Sequence, residues 1–255
     1  MTSSAKPIPE TSKALIALLI AMTALAPVSL QIFIPALPAI QSSFDSGAGV
    51  TQLVLSLSIL ANAIATLLYG PLSDRFGRRP VVLIGLVIFV VGSGLCTIAP
   101  TISMLIAARI IQSAGAAAGM VLARAIVRDL YDREQAASVI AYLTMAMVVA
   151  PMIAPTFGAL LIDSLAWPAI FVAMAVIGAL LFWQIWQNLA ETHTGHTTSS
   201  LWSGLGRGGM QLLRRPEFLA YTLQSSFAIS TFFAFISGAP YFMIDILGRS
   251  ATEYG

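Results

Sequence analysis

Residues 70–80 read Gly70-Pro71-Leu72-Ser73-Asp74-Arg75-Phe76-Gly77-Arg78-Arg79-Pro80, a charged stretch between two long apolar runs. Gly70 and Gly77 allow close backbone approach or a positive φ. Pro80 suits the first turn of the helix that follows, where its missing N–H costs little. Three arginines fit a loop on the cytoplasmic side of a membrane. Asp74 does not follow from that rule. A carboxylate among arginines, bracketed by glycines, marks the stretch as more than a topological anchor.

Outward from this stretch the chain is apolar. Of its 255 residues 58% are hydrophobic and 9% charged, where a soluble domain carries about a quarter charged residues. So little polar material cannot cover a water-facing surface. A soluble enzyme, a nucleic-acid binder and a disordered chain are excluded, and a net charge of +2 implies no basic partner surface. The single cysteine, Cys96, lies in an apolar run and offers neither a disulfide framework nor a thiolate metal site. An apolar run of about 20 residues crosses a bilayer as a helix. Seven are read, over roughly 14–38, 49–71, 80–99, 102–126, 137–161, 166–187 and 218–246. The short alternating segments of a membrane barrel do not appear. The fold class is an all-α membrane protein.

Charge then sets the expected orientation. With the N-terminus in the cytoplasm, the inner segments hold ten lysines and arginines, from Lys6 to Arg215, against Arg249 alone outside. The first run is too long for a signal-peptide core and stays as helix 1. Six spans fill residues 1–188 as one domain. Residues 189–217 form a polar cytoplasmic linker, with Leu201, Trp202, Leu205, Leu212 and Leu213 suiting an interfacial helix. Residues 218–255 hold a seventh span and an outer tail, the start of an incomplete second domain. Six spans, a linker and one lone span read as a fragment.

The 70–80 stretch resembles the signature loop of the major facilitator superfamily, a glycine followed by Asp-Arg-x-Gly-Arg-Arg. Arg109-Ile-Ile-Gln112-Ser-Ala-Gly115 resembles that family's helix 4 motif. Ala150-Pro151-Met-Ile-Ala154-Pro155-Thr-Phe-Gly158 resembles the helix 5 motif of its drug:proton antiporters, and Trp167-Pro-Ala-Ile-Phe171 the opening of helix 6. Arg124-Ala-Ile-Val-Arg128-Asp129-Leu-Tyr131 and the Pro-Ala-Leu-Pro closing helix 1 are similar to the Bcr/CflA drug-efflux branch. The resemblance implies a complete first half of a twelve-helix fold, with the remaining C-terminal half missing and substrate held between halves. It implies a gating loop of Gly70, Asp74, Arg75, Gly77, Arg78, Arg79 and Asp129. Asp74 is its latch, and Arg78 or Arg79 pairs with Asp129. It implies a leak-suppressing hinge at Pro151, Pro155 and Gly158, a stretch that static packing against helix 1 explains equally well.

An arginine deep in a span costs about 2.5–3.5 kcal/mol to insert and is functional by default. Arg109 lies about two turns in from the outer end of its helix, with Gln112 one turn further on. Helix 1 places Gln31 at similar depth. The branch it resembles carries an aspartate there, paired with the helix 4 arginine and taking up the coupling proton. An amide cannot titrate, so Gln31 is expected to hydrogen-bond Arg109 or substrate instead. Asn62 and Tyr142 complete the candidate cavity, with Thr144 and Gln224 beside them; each also suits an interhelical hydrogen bond. Gly115 and Gly119 suit close helix packing. Phe227, Phe232, Phe233 and Phe235 suit packing or lipid. His193 and His196 supply two of the four ligands zinc wants. No Walker loop is present to drive transport with ATP.

The expected function is proton-linked efflux of drugs or small amphiphilic compounds by alternating access, as in a multi-pass antiporter of the bacterial inner membrane. Its partners are a small-molecule substrate, a proton and the lipid bilayer, with no cofactor, no metal and no enzymatic step. Arg109 without an opposing acid favours an alternative, a facilitator of a neutral or anionic metabolite. A non-transporting half-transporter is the reading from another class.

Overall fold

The structure, a computed structural model, describes residues 13–193 and 214–249, apart from the side chains at 232, 236, 237 and 245. The amphipathic segment at 201–213 and His196 lie outside the described residues. Eight α-helices make up the fold among those described: α1 (Lys13–Gln31), α2 (Leu37–Ser43), α3 (Ala48–Phe76), α4 (Arg78–Thr97), α5 (Ile102–Leu130), α6 (Arg133–Leu165), α7 (Pro168–Asn188) and α8 (Pro216–Pro240). A 3-10 turn, Ile34–Ala36, joins α1 to α2, and a π-helical turn, Tyr241–Ile246, prolongs α8. Taking α1 to α2 as one unit, seven segments are long and apolar enough to cross a membrane, where the sequence predicts them.

Two local features depart from the sequence reading. The predicted loop at 70–80 is mostly helix. α3 runs through Pro71 to Phe76, and Gly77 alone separates it from α4. Gly77 has φ +97, a conformation glycine adopts without a side-chain penalty, and this turns the chain in a single residue. The first span is not one helix. Pro35 has no N–H for the carbonyl of Gln31, and Pro38 has none for Ile34. α1 therefore stops at Gln31, and the chain restarts one turn later.

α5 is the axis of the six-helix bundle. It packs most closely on α4 and α3, and α1 lies across both α5 and α6. Its middle reads Gly115-Ala-Ala-Ala-Gly119, all buried. A Cβ on Gly115 would meet the Phe89 backbone and lie 2.5 Å from the Gly85 carbonyl; one on Gly119 would meet the Met22 carbonyl. Small residues thus let backbones approach to contact, which drives helix association in lipid. Gly158 of α6 does the same at the broken end of α1, where a Cβ would strike the Ile32 carbonyl.

The outer helices bury far less. In the most apolar window α5 is 61% buried, against 28% for α3, 22% for α6 and 7% for α8. Leu60, Leu67, Met152 and Phe157 stay exposed on α3 and α6. These apolar faces suit lipid or a further packed domain.

Candidate functional site

The Gly77 corner gathers a charge cluster at one end of the bundle. Arg78 begins α4, and its side chain is nearly buried. Its Nε donates to Asp129 Oδ2 at 3.0 Å in the last turn of α5. Its Nη1 donates to Asp74 Oδ1 at 2.6 Å and to Ser73 Oγ at 2.5 Å, both in the last turn of α3. One guanidinium therefore ties three helix ends together. Arg78, rather than Arg79, meets Asp129. Arg79 instead donates from Nη2 to the Trp186 carbonyl at 2.6 Å and lies over that residue's ring. Arg75 is exposed and stacks on Phe76. Gly70 faces open space.

A residue that the sequence left in the linker completes the cluster. α4 has no cap from its own N-terminal residue, so its first N–H groups need outside acceptors. Glu191 supplies them: Oε1 accepts from Arg78 N at 2.9 Å and Oε2 from Arg79 N at 3.2 Å. Oε1 also accepts from the backbone of Thr192 and His193. Burial works to raise the Glu191 carboxyl, but the N–H groups of His193, Arg78, Arg79 and Thr192 outweigh it and hold it below its ordinary value. The carboxylate sits against Gly77, where a Cβ would lie 2.5 Å from Oε2.

The second polar centre is deep in the bundle. Arg109 of α5 is 1% exposed. Its Nη1 donates to the Ser29 carbonyl of α1 at 3.1 Å and to Gln112 Oε1 at 2.5 Å. Gln112 Nε2 donates on to Ser93 Oγ of α4 at 2.7 Å. The guanidinium carbon stands 3.9 Å from the Phe33 ring centroid and 5.8 Å from that of Phe171. Nε and Nη2 have no hydrogen-bond partner among the described residues.

The other cavity candidates divide. Gln31 is buried, but its Oε1 accepts no hydrogen bond. The expected bond from Arg109 to that oxygen is not formed; Nη1 of the guanidinium meets the Ser29 carbonyl, near the end of α1. Asn62 is half-buried and donates to the Ser113 carbonyl at 3.2 Å, bracing α3 on α5. Tyr142 and Thr144 are exposed on α6, and Gln224 is exposed on α8. Arg124, the other arginine within a span, donates to Met147 Sδ at 2.9 Å. Pro151 and Pro155 are half-buried along the α6 face that leads to Gly158. A groove of about 800 Å³, lined by residues including Leu15, Leu18, Tyr131, Leu181 and Gln184, opens among the ends of α1, α5 and α7. None of the cavity candidates lines it.

The family profile of the Major Facilitator Superfamily matches residues 19–255. The chain belongs to that superfamily. Its seven spans and small-residue core are therefore those of a superfamily member. Among superfamily relatives, an uncharacterized MFS-type transporter, YdgK, of Bacillus subtilis is 34% identical, over 94% of this chain and 60% of its own length. The bicyclomycin resistance protein homolog of Haemophilus influenzae is 27% identical over 92% of this chain and 59% of its own. The multidrug resistance protein MdtL of Escherichia coli O45:K1 is 28% identical over the same shares. These resistance-named relatives agree with the Bcr/CflA resemblance in the sequence. The chain spans about 60% of the length of the curated relatives it matches. In fold it is similar to a bacterial homolog of the human lysosomal transporter Spinster, at TM-score 0.72 and 17% identity, covering 96% of this chain and 58% of that one. The D-xylose-proton symporter matches at TM-score 0.65 and 13% identity, over 94% of this chain and 63% of that one.

Glu191 is the member of the charge cluster that the sequence reading did not place there. Its partners in α4 lie 113 and 112 positions away. The available signal was its place just after the sixth span, opposite an arginine-rich turn whose helix start lacked a capping side chain.

Proposed function

We propose that this superfamily member works as a secondary transporter that exports drugs or small amphiphilic compounds by alternating access. The observation that carries the reading is the match, over 92% of the chain, to relatives named for bicyclomycin and multidrug resistance. Residues 1–188 act as one rocking domain, residues 189–217 as a cytoplasmic linker, and 218–255 as the start of the opposing domain. The protein sits in the bacterial inner membrane with its N-terminus in the cytoplasm, following its basic-residue bias. Asp74 is the latch toward the opposing domain, and Arg78 pairs with Asp129 beside it. An ion pair from a carboxylate as exposed as Asp74 contributes about 0–1 kcal/mol, which suits a latch that opens every cycle. The test is accumulation of a fluorescent cationic dye in efflux-deficient cells expressing the full-length protein. Lower accumulation, reversed by a protonophore, is the expected result. Accumulation unchanged by expression would overturn the reading.

Arg109 favours a second reading on cargo charge. Its guanidinium has no carboxylate within ion-pair distance among the described residues, so the centre is cationic and suits neutral or anionic cargo. A proton-coupling acid then belongs to the opposing domain. Counterflow in proteoliposomes, with and without a pH gradient, separates proton-linked export from facilitated exchange.

A further inference from the structure

Arg109 uses one end of its guanidinium and leaves one edge unused. Both of its hydrogen bonds leave from Nη1. The two nitrogens without partners, Nε and Nη2, are adjacent in the planar group. Covalent geometry makes the Nε–H and one Nη2–H point the same way, side by side. This is the edge on which a carboxylate sits with two parallel bonds, or which a halide bridges. The rings of Phe33 and Phe171 supply attraction through their faces, and such contacts leave hydrogen-bond donors unsatisfied. Its two hydrogen-bond partners are neutral dipoles, the Ser29 carbonyl and the Gln112 amide. A cation 1% exposed with two unused donors is costly to bury unless something anionic meets it.

We propose that the Nε/Nη2 edge of Arg109 is a binding site for one small monovalent anion. Two sources share that chemistry, an inorganic halide such as chloride and the carboxylate of a transported acid. The site requires only the geometry of the six-helix domain, so it stands or falls separately from drug export, while its carboxylate source rests on the anionic-cargo reading above.

The test uses purified full-length protein in detergent, followed by tryptophan fluorescence during heating. Potassium chloride, or in a separate series potassium benzoate, replaces potassium methanesulfonate at constant ionic strength. The expected result is a saturable rise in unfolding temperature with at least one of them. A rise with chloride assigns the inorganic ion, and a rise with benzoate alone assigns the carboxylate of cargo. In Arg109→Lys the apparent affinity should fall at least about tenfold, because an ammonium lacks the parallel donor pair. Gln112→Glu decides the matter should the lysine variant fail to fold. It is nearly isosteric and places a carboxylate where the amide oxygen already meets Nη1, so it should weaken the response by about the same factor. No saturable difference among the three salts in the wild type overturns the proposal. So does a response that Gln112→Glu leaves intact.

Discussion

Arg78 and Arg109 are both nearly buried arginines on neighbouring helices, yet they are met in opposite ways. Arg78 lies at a helix end and draws on two carboxylates, Asp74 and Asp129, with a hydroxyl between them. Arg109 lies inside the bundle and has a carbonyl, an amide and two aromatic rings. The difference follows depth. Near the membrane edge a carboxylate can be rehydrated when the pair opens, so pairing is cheap and reversible. At the centre a second fixed charge would have to be desolvated as well. A structure that must move puts its ion pairs at the rim and its dipoles in the core.

The largest expected effect tests that contrast from the inside. Arg109→Ala empties the space between Phe33 and Phe171 and strips Gln112 Oε1 of its donor. A loss of about 3 kcal/mol is expected from the cavity and the unpaired amide together, read by denaturant or thermal unfolding in detergent. Arg78→Ala should cost less, about 1–2 kcal/mol after allowing for the exposure of Asp74, and should lower transport by the full-length protein as the latch loosens. Equal losses in the two variants would mean that depth does not govern how these arginines are balanced.

Glu191→Gln sharpens the comparison at the rim. The amide still accepts through one oxygen but loses the charge that favours the N-terminus of α4, an effect of about 0.5–1 kcal/mol. The sign of the pH dependence is fixed by the depressed folded value. Stability from Glu191 is present above the ordinary glutamate value of 4.5 and is lost as pH falls below it through the folded value. Unfolding followed from pH 6 to pH 3 should show that acid loss in the wild type and a shallower one in Glu191→Gln. Parallel curves would remove the carboxylate from the account. Smallest is Ala166→Gly. Ala166 holds φ +95 between α6 and α7, a strain of about 1–2 kcal/mol in a residue with a side chain. The greater chain entropy of glycine takes back about half to one kcal/mol, which leaves a net gain of about 0.5 kcal/mol in the same unfolding assay.

Spans were legible because bilayer thickness dictates run length, and each of the seven runs is free of mid-span acids. Their ends were less so. Pro71 reads as a stop signal, yet α3 tolerates it, and the chain turns only at Gly77. Pro35 and Pro38 did break the first span, since each removes a donor from a carbonyl one turn earlier. Arg109 and Gln112 were legible as neighbours by helical spacing. Phe33, Phe171 and Ser29 were not, because nothing local to Arg109 says which helices pack against it. Glu191 was the least legible, since its effect needs α7 to return the chain to the start of α4.

The two tight corners of the fold carry a trace of how it was assembled. Gly77, between α3 and α4, has φ 97 and ψ 154; Ala166, between α6 and α7, has φ 95 and ψ 161. Each follows a long helix and opens a shorter one, and the two lie at opposite ends of the bundle. The same bend drawn twice, upside down, is what a three-helix unit leaves when it is copied with inverted topology. One copy has the residue that the bend prefers and carries a charge cluster beside it. The other holds the same shape with alanine.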